Sequence, residues 1–268
     1  MTDTLLTVPA GHYSPKHVAK SELAKALTLR STAIMFGLSV VACLLVTGLV
    51  TNSAANNPRN WGFGFDPTQA SLTGMITVAL TGGVFGALLI TGEYSSGTIR
   101  TTLAATPKRP FLLSIKLGIA AVFTLVFCEL LSFISFFLGQ AILSGGGAPH
   151  ATLSTPGAAR AVWMTGLFIA LMTLMSFGFG LIFRNIAAAI AAFVGVVFVL
   201  PLVVHSISEH FDRFLPSNIL VNSVMQTANQ GPGGPNVPLS PTVGLLLMVL
   251  YASIAVAVGA VLFVRRDA

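Results

Sequence analysis

Residues 161–204 read AVWMTGLFIALMTLMSFGFGLIFRNIAAAIAAFVGVVFVLPLVV, with one charged residue, Arg184. An unbroken apolar run of about 20 residues is long enough to cross the ~30 Å hydrocarbon core of a bilayer as a helix. Two such runs, Ala161–Phe183 and Asn185–Val204, meet at Arg184-Asn185. A junction that short predicts a tight antiparallel hairpin of two membrane-spanning helices.

Working outward from this hairpin, four more runs qualify: Ser31–Val50, Pro67–Gly92, Phe111–Leu143 and Leu239–Val264. Composition agrees. Only 8% of the 268 residues are charged, against about 25% in an ordinary soluble domain, and the mean hydropathy is +0.86. A transmembrane β-barrel would need alternating strands of roughly ten residues, and these runs do not alternate. The expected fold is an all-α membrane protein with six transmembrane helices. An N-terminal segment, 1–30, precedes the six-span domain, 31–268.

The positions of the basic residues predict the orientation. With the N-terminus inside, eleven fall on the cytoplasmic side: Lys16, Lys20, Lys25, Arg30, Arg100, Lys108, Arg109, Lys116, Arg184, Arg265 and Arg266. Three fall outside: Arg59, Arg160 and Arg213. That bias puts both termini in the cytoplasm. The net charge of +6 then lies beside anionic headgroups, so membrane lipids are the expected partner of this charge and nucleic acid is not. Residues 1–30 carry too many charges and too short an apolar core for a secretory signal. Cys43 and Cys128 both lie inside apolar runs and read as small core residues without metal-ligand spacing.

Ser14–Arg30, SPKHVAKSELAKALTLR, opens with a capping serine and a proline. Its Ala19, Leu23, Ala26 and Leu27 follow helical spacing, with lysines mostly opposite. This predicts a basic amphipathic helix on the inner membrane surface. The long outer segment before the sixth span is expected to fold back at about Val203–Gln226 as a re-entrant or interfacial element.

The loop between the second and third runs, Thr91–Pro110, reads TGEYSSGTIRTTLAATPKRP. Gly97 permits a sharp bend. Thr98–Ala105 has room for two helical turns with Ile99 and Leu103 on one face, and Thr106-Pro107 ends them. Read as residues alone, this is either a solvated connector or a short cytoplasmic helix offered to a partner.

The motif formed by Glu93, Tyr94, Gly97, Thr98, Ile99, Arg100, Pro107, Lys108 and Arg109 resembles the cytoplasmic loop of the bacterial type-2 ABC exporter permeases. Six spans, the surface helix before the first and the long outer segment before the sixth extend the resemblance over the whole chain. The resemblance implies that 91–110 contains a coupling helix docking in a cleft of a separate ATP-binding subunit. Glu93 would anchor the loop, with Tyr94, Gly97 and Thr98 in the same motif. Ile99 and Leu103 would fill the cleft, and Arg100 would meet acids or lipid phosphates. It further implies two permease chains, identical or sister, with two ATP-binding subunits that hold ATP and Mg. The chain itself would be no enzyme, and it contains no G-x-x-x-x-G-K-[ST] phosphate loop. The implied activity is export of a hydrophobic or amphipathic compound, such as a drug, antibiotic, peptide or lipid, across a bacterial inner membrane.

Inside the spans, Glu129 stands alone among uncharged residues. A charge that deep costs ~3 kcal/mol on insertion scales. Glu129 is therefore either a substrate-path or proton-linked carboxylate, or a protonated acid bonded to a neighbouring helix or to Ser132. Gly82-x-x-x-Gly86 permits close helix approach, within the chain or between two permeases. Phe85, Phe193 and Phe198 are candidate substrate-path residues from the family resemblance. His205, Glu209, His210 and Asp212 form a loose His/acid group that ordinary loop polarity also explains. Two rival functions are an ion-coupled secondary transporter using Glu129 and a non-transporting scaffold or sensor subunit.

Overall fold

The computed structural model describes residues 20, 24, 30–62, 64–99, 109–207, 209–224 and 239–265. Six helices are long and apolar enough to cross a membrane, and no strand occurs among the described residues. The first span is α1 (Arg30–Ala55). The second combines α2 (Pro67–Leu72) and α3 (Met75–Ser95). The third and fourth are α4 (Arg109–Gly145) and α5 (Ala158–Phe183). The fifth runs through α6 (Ile186–Val194), a π-helical turn (Gly195–Val199) and α7 (Leu200–Ile207). Two short helices follow, α8 (Glu209–Asp212) and α9 (Pro216–Val224), and α10 (Pro241–Arg265) is the sixth span. The surface helix expected over Ser14–Arg30 and most of the 98–105 helix lie outside the described residues.

Burial in α1 runs opposite to that of a soluble amphipathic helix. Its buried face carries Phe36, Ser39, Cys43, Thr47 and Thr51, while Ile34, Leu38, Val41, Leu45 and Leu49 are exposed. Small polar groups face protein and large aliphatic ones face outward, as expected when the solvent is lipid and the interfaces need close approach. Exposed Val122, Val126, Leu130 and Ile134 repeat the pattern along α4.

The fourth span is the hub of the bundle. Phe168, Ile169, Met172, Phe177 and Leu181 of α5 are fully enclosed, and α5 packs against α3, α4, α6, α9 and α10. Glycines allow these approaches. A Cβ at Gly86 would collide with the Thr173 carbonyl oxygen, and one at Gly82 would stand 2.6 Å from the Thr173 hydroxyl. Gly82 and Gly86 thus pack the second span against the fourth of the same chain. On the other side of α5, a Cβ at Gly178 would lie 2.5 Å from the Ala255 backbone of α10.

The hairpin at Arg184-Asn185 takes the expected form. Arg184 closes α5 in the left-handed region, φ 52°, and its N–H donates to the Gly180 carbonyl at 2.9 Å. Asn185 then caps α6, accepting from the Ala188 N–H at 3.0 Å.

Two irregularities interrupt spans that look continuous in the sequence. At Thr73-Gly74 the second span breaks, and Gly74 lies directly on the Cys43 carbonyl of α1. In hydrocarbon the backbone groups of such a break need protein partners. The Ser71 carbonyl accepts from Thr47 at 3.3 Å and Ser135 at 2.8 Å. Gln140 donates to the Pro67 carbonyl at 3.0 Å and accepts from the Ala151 N–H at 2.6 Å. In the fifth span the π turn immediately precedes Pro201. Proline has no N–H to continue an α ladder, and its ring crowds the preceding turn; the wider turn, in which the Leu200 N–H donates to the Gly195 carbonyl, makes room for the ring.

After the fifth span, α9 packs back against the bundle. Ile219, Leu220 and Val224 of α9 are buried in the main core, and Ile219 packs over Gly244 of α10. Tyr251 of α10 donates to the Phe214 carbonyl at 3.0 Å.

Gly86→Ala should lower thermal stability by ~1–3 kcal/mol through overpacking, whereas Gly92→Ala should not, since a Cβ at Gly92 meets nothing within 4 Å. Fluorescence-monitored melting of the two detergent-purified variants checks this contrast.

Candidate functional site

The end of the bundle carrying Lys116, Arg184 and Arg265, here the basic end, gathers the described part of the Glu93–Ile99 motif. α3 stops at Ser95. The Ser96 N–H donates to the Gly92 carbonyl at 3.1 Å, and the Gly97 N–H to the Tyr94 carbonyl at 3.3 Å. Gly97 takes φ +70°, the left-handed cap that glycine adopts without a Cβ penalty. The bend expected at Gly97 is therefore present. Beyond it the Thr98 hydroxyl lies 2.8 Å from that of Ser96, and Thr98 and Ile99 are helical.

Each motif side chain engages a different span. Glu93 Oε1 meets Lys116 Nζ of α4 at 2.7 Å, with the two side chains 13% and 6% exposed. The Arg184 guanidinium lies 5.1 Å from the Tyr94 ring centroid, within cation–π range. Arg184 Nη2 also donates to the Leu262 carbonyl of α10 at 3.3 Å. Ile99 is 3% exposed and packs in a cluster with Ile90, Leu113, Phe177, Leu181 and Phe263. The second, third, fourth and sixth spans are thus joined at one point.

Ile99 was expected to project toward a partner. Ile99 is instead buried in the chain's own bundle, the bend at Gly97 turning it back over the helix ends. Arg100 and Leu103, the other residues expected to meet a partner, lie outside the described residues.

The candidate path residues fall in separate packings. Phe85 is 2% exposed and contacts Phe36 and Phe123, with ring centroids 4.9 and 5.5 Å away. Phe193 is fully enclosed, its ring directly over Gly83 of α3, and lies 6.3 Å from the half-buried Phe198. Glu129 lies against Gly166 of α5. Its carboxyl group accepts from the Leu167 backbone N–H, while the Ser132 hydroxyl donates to the Val162 carbonyl at 2.9 Å. His205 Nδ1 stands 3.0 Å from Asp212 Oδ2, and Asn218 donates to the same Asp212 carboxylate. No group of three metal-ligating side chains occurs among the described residues.

In the sequence, Lys116 and Arg184 stand out only as charges that set topology. Their positions at span mouths facing Glu93 and Tyr94 were the available signal, but pairing across 23 and 90 residues depends on helix packing. Neither a protein-family model nor a curated protein matches the chain.

Lys116→Met removes the ammonium group that meets Glu93 Oε1. Its thermal stability should fall below that of the Glu93→Gln/Lys116→Met double variant, with a coupling of roughly 1–3 kcal/mol. Melting of the four members of this double-mutant cycle measures it, and additive effects would contradict the pairing.

Proposed function

We propose that this chain is the membrane-spanning permease subunit of an ATP-driven exporter of the type-2 ABC class. The reading rests on the Glu93–Arg109 motif, and the observation that carries it is the way its first residues are built in. Glu93, Tyr94 and Ile99 each hold a different part of the bundle. A force applied to the segment that follows Ile99 is therefore delivered to four spans at once. A solvated connector that only linked two helices would not need these buried contacts.

In this account the loop carries Arg100 and Leu103 to a cleft of the ATP-binding subunit, while Ile99 secures it to the membrane domain. Two permease chains, identical or sister, pair with two ATP-binding subunits. ATP and Mg are held and hydrolysed by those partners. ATP brings the partners together, the docked loops move, and the second and third spans tilt. A pathway between the two permeases then changes the side to which it opens. The switch works only if ATP binds one of the two states more tightly. Both termini lie in the cytoplasm of a bacterium, and the cargo is a hydrophobic or amphipathic compound leaving through the inner membrane.

Affinity purification of the native chain from mildly solubilised membranes should recover an ATP-binding subunit with ATPase activity. Leu103→Asp should abolish recovery while leaving the permease monodisperse. A well-folded native chain that recovers no ATPase would overturn the exporter reading in favour of an ion-coupled transporter or a scaffold.

A further inference from the structure

The third span holds an acid, Glu129, that forms no ion pair with a basic residue among the described residues. Glu129 is 9% exposed; its carboxyl group accepts from the Leu167 backbone N–H, and its Oε2 has no hydrogen-bond partner. Its carboxyl group fills the space left by the missing side chain of Gly166: a Cβ there would stand 2.7 Å from Cδ and 2.9 Å from each oxygen. The helices carry their Lys and Arg near their ends, Arg160 of α5 among them, six residues before Gly166. Lys116 is engaged with Glu93, and Arg184 with Tyr94 and the Leu262 carbonyl.

One turn toward the non-basic end, α4 and α5 bring two aromatic rings together. Phe133 is one turn beyond Glu129, and Trp163 one turn before Gly166. Their rings meet edge to face, centroids 5.3 Å apart at 85°. Trp163 is 58% exposed and Leu130, next to Glu129, is 60% exposed. The acid is therefore enclosed by protein one turn from an aromatic pair of which Trp163 is exposed. Gly166 lies eight residues into α5, about 12 Å from its start at 1.5 Å per residue. A molecule dissolved in the adjoining leaflet can reach that depth sideways.

The chemistry of this seam is selective. When ionised, a carboxylate in this setting pairs with a cation more strongly than it would in water, and tryptophan and phenylalanine faces attract the same charge. Lateral access through hydrocarbon demands a lipophilic molecule. One carboxylate without further ligands is a poor site for a bare metal ion. We propose that Glu129, Phe133 and Trp163 form an intramembrane site for a lipophilic organic cation entering from the bilayer between the third and fourth spans. That this cation is cargo rests on the exporter reading; that the seam binds it does not.

The test is equilibrium binding of radiolabelled tetraphenylphosphonium to the full chain in phosphatidylcholine nanodiscs. Tetraphenylborate, alike in size and opposite in charge, serves as control. The native chain should bind the cation saturably and not the anion. Glu129→Gln should weaken cation binding about tenfold or more by removing the charge, and Trp163→Leu about threefold by removing the ring face. No saturable binding above empty nanodiscs, or affinity unchanged in Glu129→Gln, would overturn the proposal. Should Glu129→Gln fail to fold, the native chain and Trp163→Leu still decide. Equal binding of both ions, or indifference to Trp163→Leu, would overturn it. Cation binding without a copurifying ATPase would leave this site standing and remove the exporter reading. An ATPase without cation binding would do the reverse.

Discussion

Close approach of the second and fourth spans is the contact on which the rest of the bundle depends. Gly82 and Gly86 let α3 lie with its backbone nearly on Thr173 of α5, and Gly83 receives the Phe193 ring of the fifth span. The Ser176 hydroxyl donates to the Gly83 carbonyl at 2.6 Å across the same contact. Lipid offers helices little hydrophobic reason to associate, so small residues that permit dispersion contacts and interhelical hydrogen bonds bear much of the load. With α5 fixed against α3, its other faces become docking surfaces for α4, α9 and α10. The motif residues at the basic end then find their partners within reach.

This arrangement links the membrane core to the loop. Phe177 and Leu181 of α5 reach the basic end and pack with Ile99, only one to three turns from the glycine contact. Glu93 and Tyr94 lie on the last turns of the same α3 that carries the glycines. A displacement of the loop therefore acts on a short, stiff lever and not on a flexible tether. Packed interiors behave as discrete arrangements and do not deform continuously, which suits the two-state switch proposed above.

Much of this architecture was legible in the sequence because lipid imposes a simple length rule. All six runs correspond to helices, and the Arg184-Asn185 hairpin and the bend at Gly97 appear where residue chemistry put them. The helix ends differ by a few residues: α1 continues to Ala55 and α4 to Gly145, because small polar residues extend a helix past the apolar run. What could not be read was orientation about each helix axis. Helical spacing places Ile99 and Leu103 on one face but does not say which way that face turns. Glu129 was visible as an anomaly, yet its packing on Gly166 requires two helices in register. The break at Thr73-Gly74 was hidden in an apolar run, since the Thr47, Ser135 and Gln140 side chains that satisfy it come from other spans. Pro201 signalled irregularity in the fifth span without indicating a π turn.

The central claim is that the loop begins as part of the bundle, with Ile99 turned inward and Thr98 outward. Cysteine accessibility tests it most directly, using Thr98→Cys and Ile99→Cys in intact membranes with a membrane-impermeant maleimide applied from the basic side. The native Cys43 and Cys128 are buried and supply the unlabelled background. The account predicts prompt labelling at position 98 and protection at position 99 until the protein is denatured. Equal, prompt labelling at both positions would contradict it.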